Sequence, residues 1–333
     1  MIIAGAGIVG LSSAWRLRGC GIPVTVFDAG AVGSEASWSG AGMLAPGGEM
    51  EEASPLTEMA MRGLQLYPQF VAELRGESGL PVDYRQCGAM EVALTDEDAE
   101  VLERRAARQA RLGIHSESAV FPGSVSARFF PDDALVNPRD VVAALRLMCA
   151  RRGVRILEHE RVLEIRPDGS GVRTSKGVYE DEGALICAGA WSSELAGARA
   201  PESMPVRGHL ISYAADPGRL QTILRHGHTY LLQRETGSLI AGSSTEYAGF
   251  DRTIDESVVA SVHSRATRLL PYLRGLRPSD RWIGFRPGIA GGQPAIGRID
   301  NTKIWTAYGH YRNGILLAPD TARRIAESVA SVL

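Results

Sequence analysis

A chain of 333 residues with a formal net charge of −2 has room for two domains and offers no electrostatic footing for nucleic acid or an anionic membrane. An apolar fraction of 44% and a charged fraction of 22% are ordinary for a soluble globular protein, and no apolar run approaches the roughly 18 residues of a membrane span. Cys20, Cys87, Cys149 and Cys187 lie far apart without a C-x-x-C, which argues against zinc and any other metal site and fits a reducing cytoplasm. The apolar N-terminus lacks the basic start of a signal peptide, and Lys176 and Lys303 are the only lysines.

Met1 to Ala4 read as a short strand and Leu11 to Leu17 as the start of a helix. Between them Gly5, Gly7 and Gly10 give G-x-G-x-x-G. Gly5 allows a tight turn, Gly7 lets a pyrophosphate approach the backbone, and Gly10 lets the helix pack close to the strand. The free amides of Gly7, Ile8 and Val9 at the helix start would hold the anion. Pro23 to Phe27 read as the next strand and end in Asp28, a carboxylate placed to accept from a ribose hydroxyl, followed by Ala29. A small, nearly uncharged loop to Pro46 follows, with a short helical piece that includes Ala36 and Ser37.

Leu56 to Leu74 and Asp96 to Leu112 have helical spacing, and Val82 to Leu94 alternates as two short strands. Asn137 caps a helix that opens on Pro138 and closes at Gly153. Val154 to Leu157 is a strand, and Val162 to Ile165 forms a hairpin with Gly171 to Thr174. Gly183 to Cys187 is a strand running into Ala188, Gly189 and Trp191. Met204 to Tyr213, Thr229 to Gln233 and Ser238 to Gly242 read as an antiparallel sheet, and Ser257 to Leu270 as a helix. Trp282 to Pro287, Pro294 to Arg298 and Lys303 to Ala307 are strands, before a helix that runs to Leu333. Pro319 requires that helix to start late or to bend.

The expected fold is α/β with an α+β insertion. A discontinuous Rossmann-like domain (1–48, 135–203 and 281–333) binds the nucleotide, and an inserted substrate domain (49–134 and 204–280) is built on a mostly antiparallel sheet. The fingerprint alone does not choose between NAD and FAD. The absence of a second G-x-G-x-x-G, the Ala188-Gly189 turn and the Gly309 to Gly314 stretch favour FAD.

GAGIVG, SGAGMLAP, VNPRDVVAAL, ALICAGAWSSEL, PVRGHLI, YLLQRETGSLIAGSSTEYAGFD, WIGFRPG with PAIGR, and GHYRNGILLAP occur in this order. The set resembles the D-amino-acid-oxidase-like flavoproteins, and within them the glycine oxidases of thiamine biosynthesis. The resemblance implies an FAD enzyme that oxidises glycine, sarcosine or small D-amino acids to an imine, by hydride transfer from Cα to flavin N5. The imine would hydrolyse to an oxo acid and ammonia or an amine, and O2 would give hydrogen peroxide. A D-amino-acid dehydrogenase that passes electrons to a quinone or carrier is the alternative. The resemblance also implies a homo-oligomer.

Matched residue by residue, Arg286 is the clamp for the substrate carboxylate, Tyr230 adds a hydroxyl to it, and Arg312 approaches substrate and flavin. His228, two residues before Tyr230, would share its face of a strand at the pocket mouth. Ala41, Gly42, Met43, Val162, His310, Tyr311, Asn313, Gly314, Ile315 and Leu316 match positions around the cofactor. Some relatives bind FAD covalently through a Cys in the C-terminal part or a His. This chain has no Cys after Cys187 and carries Ser39 at the His position, so FAD is expected to be non-covalent.

Overall fold

The computed structural model describes residues 1–332. A six-stranded sheet runs in the spatial order Ala295–Arg298, Ile304–Tyr308, Ala184–Ile186, Ile2–Ala4, Thr25–Phe27, Arg155–Leu157. All its pairings are parallel except the first. Ile2, Ile3 and Ala4 are all buried, as a central parallel strand covered on both faces requires. The helices Ile8–Gly19, Pro138–Arg151 and Gly314–Ala330 cover one face through Leu11, Trp15, Leu145, Met148, Leu317 and Ile325. Asn137 caps its helix as expected, with Oδ1 accepting the Arg139 amide at 3.2 Å. An antiparallel ribbon of Val162–Ile165, Gly171–Thr174 and Val178–Glu180 lies against the other side, with Phe27 edge-on to Tyr179 at 4.8 Å.

The second large sheet has eight strands, in the order Asp280–Ile289, Ser203–Ala214, Ser238–Gly242, Thr229–Gln233, Ile223–His226, Ala89–Ala93, Ser126–Phe130, Glu117–Ala119. It is antiparallel except where Ile223–His226 pairs with Ala89–Ala93. One face packs on the helix Glu256–Leu269 through Tyr213, Leu231, Leu239 and Val262. The period of two turns Tyr230 and Leu232 to the opposite face. In one row across that face the register aligns Leu210, Gly242, Tyr230, Arg225 and Glu91.

The ten-residue strand Asp280–Ile289 pairs along its whole length with Ser203–Ala214. The expected boundary at 281 placed it in the nucleotide domain, whereas its hydrogen bonds belong to the substrate sheet. The strands Glu117–Ala119, Ser126–Phe130, Val178–Glu180 and Ile223–His226 carry no clear alternation and were not anticipated.

The last helix starts at Gly314 and contains Pro319. A proline at that point leaves the Ile315 carbonyl without its helical donor, and the buried Tyr67 hydroxyl donates to it at 3.0 Å. Tyr67 sits on the helix Pro55–Ser78, whose Gly63 lies directly against the Leu316 carbonyl. The last helix ends at Ala330; Leu333, to which it was expected to run, is outside the described residues.

Candidate active site

One cavity of about 510 Å³ runs from the glycine turn to the inner face of the eight-stranded sheet. Of the residues singled out by sequence, all but Gly10 and Leu316 line it. Gly10 acts behind the wall: a Cβ there would overlap the Gly5 carbonyl, so only glycine lets the helix sit on the turn. Leu316 points away, into the buried core against the helix Pro55–Ser78.

At the nucleotide end Gly5 adopts φ 109°, and a side chain would collide with the Cys187 backbone. Ser37 Oγ accepts the Ile8 amide at 2.9 Å. Among the described residues, the Gly7 and Val9 amides meet no protein acceptor. Asp28 accepts from the amides of Ala6 at 2.7 Å and Gly30 at 2.8 Å. Burial raises its carboxyl above the usual range, and those two amides oppose the shift. Two uncommitted donors at a helix start, a half-buried carboxylate and a turn that excludes side chains fit the phosphate and ribose portion of a dinucleotide.

At the far end Gly42 adopts φ 87°, and a Cβ would overlap the Val136 carbonyl. Arg234 binds that carbonyl at 2.9 Å and also the Ala41 carbonyl, which fixes the loop beside Met43. Burial lowers the Arg234 pKa to about 10. Arg234 was not singled out by sequence, because it follows the strand end Gln233 and reads as a turn residue. Tyr311 stands at φ 49° with its amide on the Pro287 carbonyl at 3.0 Å, which ties the C-terminal turn to the strand carrying Arg286. His310 is buried with Nε2 3.0 Å from Thr321 Oγ1, and burial lowers its pKa to about 4, so it is neutral.

Arg286, Tyr230 and Arg312 meet at this end. Arg286 donates to Ser243 Oγ at 2.8 Å and to the Ser244 carbonyl at 3.1 Å, and among the described residues it has no carboxylate partner. Burial lowers its pKa, and Tyr230 opposes this. Tyr230 is buried, which raises its phenol pKa against the pull of Arg286 and Arg312. Arg312 is half-buried and pairs with Glu49 at 3.0 Å, while Asn313 donates to the other Glu49 oxygen at 3.1 Å. Glu49 lay in an acidic stretch that reads as a solvated loop; only its fold across the cavity reveals it. His228 departs from expectation. It occupies the exposed turn between Ile223–His226 and Thr229–Gln233, at the cavity rim rather than on Tyr230's strand face.

A second layer positions Arg286. Glu246 accepts from Arg207 at 2.7 Å, Ser244 at 2.5 Å and His209 Nδ1 at 2.7 Å. His209 Nε2 accepts the Asp255 amide at 3.0 Å, which fixes the tautomer with the proton on Nδ1. These bonds hold Ser244, on whose carbonyl Arg286 rests.

The family described as FAD dependent oxidoreductase (DAO) matches residues 1–328. The chain belongs to this family. Its cofactor is FAD, for which the glycine cradle and free amides are fitted. The glycine oxidase of Pseudomonas aeruginosa is 32% identical, over 98% of this chain and 93% of its own length. That of Bacillus licheniformis is 29% identical over 98% and 92%. The crystal structure of glycine oxidase from Geobacillus kaustophilus superposes with a TM-score of 0.94 at 28% identity, covering 99% of this chain and 94% of that one.

Proposed function

We propose that this protein oxidises glycine, sarcosine or small D-amino acids to an imine that hydrolyses to an oxo acid and ammonia or an amine, with O2 as electron acceptor and hydrogen peroxide as product. The carrying observation is Arg286: a largely buried guanidinium aimed into the cavity, supported by neutral groups and matched by no carboxylate among the described residues. Such a group calls for an anion from outside, and a guanidinium fork pairs bidentately with a carboxylate. The Tyr230 hydroxyl adds a second bond to that carboxylate. Arg312 stands next to both, restrained by Glu49.

FAD, when bound, supplies the acceptor for the electron pair of the substrate Cα–H bond. The chain's own task is orientation. The Gly7 and Val9 amides would hold the diphosphate, with Gly5 leaving room for it and the expected Ile8 amide taken up by Ser37, and Asp28 would hold the ribose. Ala41 to Met43 and His310 to Ile315 would line the flavin. Arg286 and Tyr230, held on two strands of the eight-stranded sheet and braced by Ser243 and Ser244, fix the carboxylate, and the amine reacts in its neutral form without a side-chain base. His228 is too exposed at the rim to serve as one. The names of the glycine oxidases at 28–32% identity support the substrate class.

The test is a substrate panel on the flavin-loaded protein, with glycine, sarcosine and D-alanine, following peroxide release and dye reduction in parallel. Peroxide equal to substrate consumed is the expected result. Dye reduction without peroxide would replace the oxidase by a dehydrogenase. A colourless purified protein, or no turnover by either measure, would overturn the reading.

A further inference from the structure

We propose that Arg225 forms a second recognition point in the substrate cavity, for a hydrogen-bond-accepting oxygen (carboxylate or carboxamide) that the substrate carries beyond the carboxylate held at Arg286. The inference rests on the function proposed above and names the substrate class more narrowly.

Arg225 lies directly opposite Tyr230 in the strand register, with Glu91 opposite it on the other side. Cross-strand neighbours share a face with their Cβ atoms about 5 Å apart. Arg225 is therefore one strand beyond the tyrosine that meets the first carboxylate, and it lines the same cavity. It is only 5% exposed. Its Nε donates to Glu91 at 2.8 Å and its Nη1 to Asp133 at 2.7 Å, while Nη2 is buried and has no partner among the described residues. Buried polar groups are nearly always satisfied, so a free guanidinium donor beside a cavity points to an acceptor that arrives with the ligand.

The loop above it passes close to the other edge of the guanidinium. A Cβ at Gly48 would stand 2.7 Å from Arg225 Nη1 and 3.1 Å from its Cζ. Gly48 does not adopt a left-handed conformation, so the backbone itself does not demand glycine there. What the missing side chain preserves is the placement of the guanidinium, which a Cβ would crowd at Nη1 and Cζ. Asp133, which holds Nη1, also accepts the Gly47 amide at 3.2 Å, so one carboxylate fixes both the arginine and the loop over it.

Arg105 pairs with Glu91 at 3.0 Å but does not line the cavity. Two guanidiniums thus balance two carboxylates. What the cluster offers a ligand is a directed N–H rather than surplus charge, which a carboxamide oxygen satisfies as well as a carboxylate.

The test uses the FAD-loaded protein. Perturbation of the flavin absorbance measures binding of glutarate against butyrate. Turnover compares D-glutamate and D-glutamine with D-norvaline, and N-carboxymethylglycine with N-ethylglycine. The expected result is glutarate bound about tenfold tighter than butyrate, with a similar gain in kcat/KM for at least one oxygen-bearing substrate, as one hydrogen bond to a charged group provides. Gly48→Ala, whose methyl group would push the guanidinium out of place without removing it, should erase the preference, and Arg225→Gln should do the same if it folds. Equal binding of glutarate and butyrate, with D-norvaline or N-ethylglycine turned over at least as well as their oxygen-bearing partners, overturns the subsite alone. A preference that survives Gly48→Ala undiminished also overturns it. If neither acid perturbs the flavin and no amino acid is oxidised, the function reading fails and takes the subsite with it.

Discussion

Arg286 illustrates how much one residue's setting decides. Most arginines on this chain are paired with carboxylates, including Arg207 with Glu246 and Asp251, and Arg312 with Glu49. Among the described residues Arg286 rests only on carbonyls and a hydroxyl, so its charge remains available. Geometry matters as much as charge here. Arg286→Lys keeps a cation but loses the planar fork, and the shorter reach leaves Ser243 Oγ without its donor. Steady-state kinetics with glycine should show kcat/KM lower on the order of 100-fold, most of it in KM. A KM within a factor of two of the parent would remove Arg286 from the carboxylate site.

Elements in this protein are positioned by exchanges between their backbones and distant side chains. The helix Gly314–Ala330 tolerates Pro319 because Tyr67, on the helix Pro55–Ser78, donates to the carbonyl that the proline leaves bare. Gly63 brings the two helices close enough for this. Tyr67→Phe keeps the ring, with its stacked partner Tyr84 at 5.9 Å, and removes only the donor. Urea unfolding should show a loss of about 1–3 kcal/mol, the cost of a buried unsatisfied carbonyl. An unchanged midpoint would mean that the carbonyl finds another donor. Because Ile315 lines the cavity one turn away, a fall in flavin affinity should accompany the loss of stability.

At the scale of the whole molecule, the two large sheets are joined around the cavity, and pH acts on the buried groups beside it. His310 titrates at 6.5 in an unfolded chain and at about 4 in the fold, because burial disfavours its charged form. The unfolded chain therefore binds the extra proton first. The stability tied to neutral His310 is complete above pH 6.5 and is lost as pH falls toward 4, by about 3 kcal/mol in total. Asp320 behaves differently: burial pushes it up, but Arg323, Arg324 and Arg62 outweigh that and hold it below 3.8, so its contribution persists until more acid conditions. Melting temperature should fall between pH 6.5 and pH 4.5, and His310→Asn should flatten that part of the profile. A parallel fall in both proteins would assign the loss to other groups.

Much of this architecture was legible from local chemistry. Glycines whose side chains would strike backbone atoms, the Asn137-Pro138 helix start and the apolar strand Ile2–Ala4 are short-range facts, set by sterics and hydrogen bonding within a few residues. They sufficed to place the cofactor cradle, whereas Arg286, Tyr230 and Arg312 were picked out by the resemblance to the flavoprotein family. Other features depend on which strands become neighbours. Strand pairing placed Asp280–Ile289 in the substrate sheet and left His228 in a turn. It also set Arg225 beside Tyr230, although nothing near either residue in the chain records that adjacency. Glu49 acquires its role only because a loop folds across the cavity onto Arg312. The sequence by itself determined that the chain binds a dinucleotide, through its glycine turn and the carboxylate of Asp28. The tertiary structure alone decided which charges cancel and which remain open, because pairing between distant residues is a property of the assembled sheets.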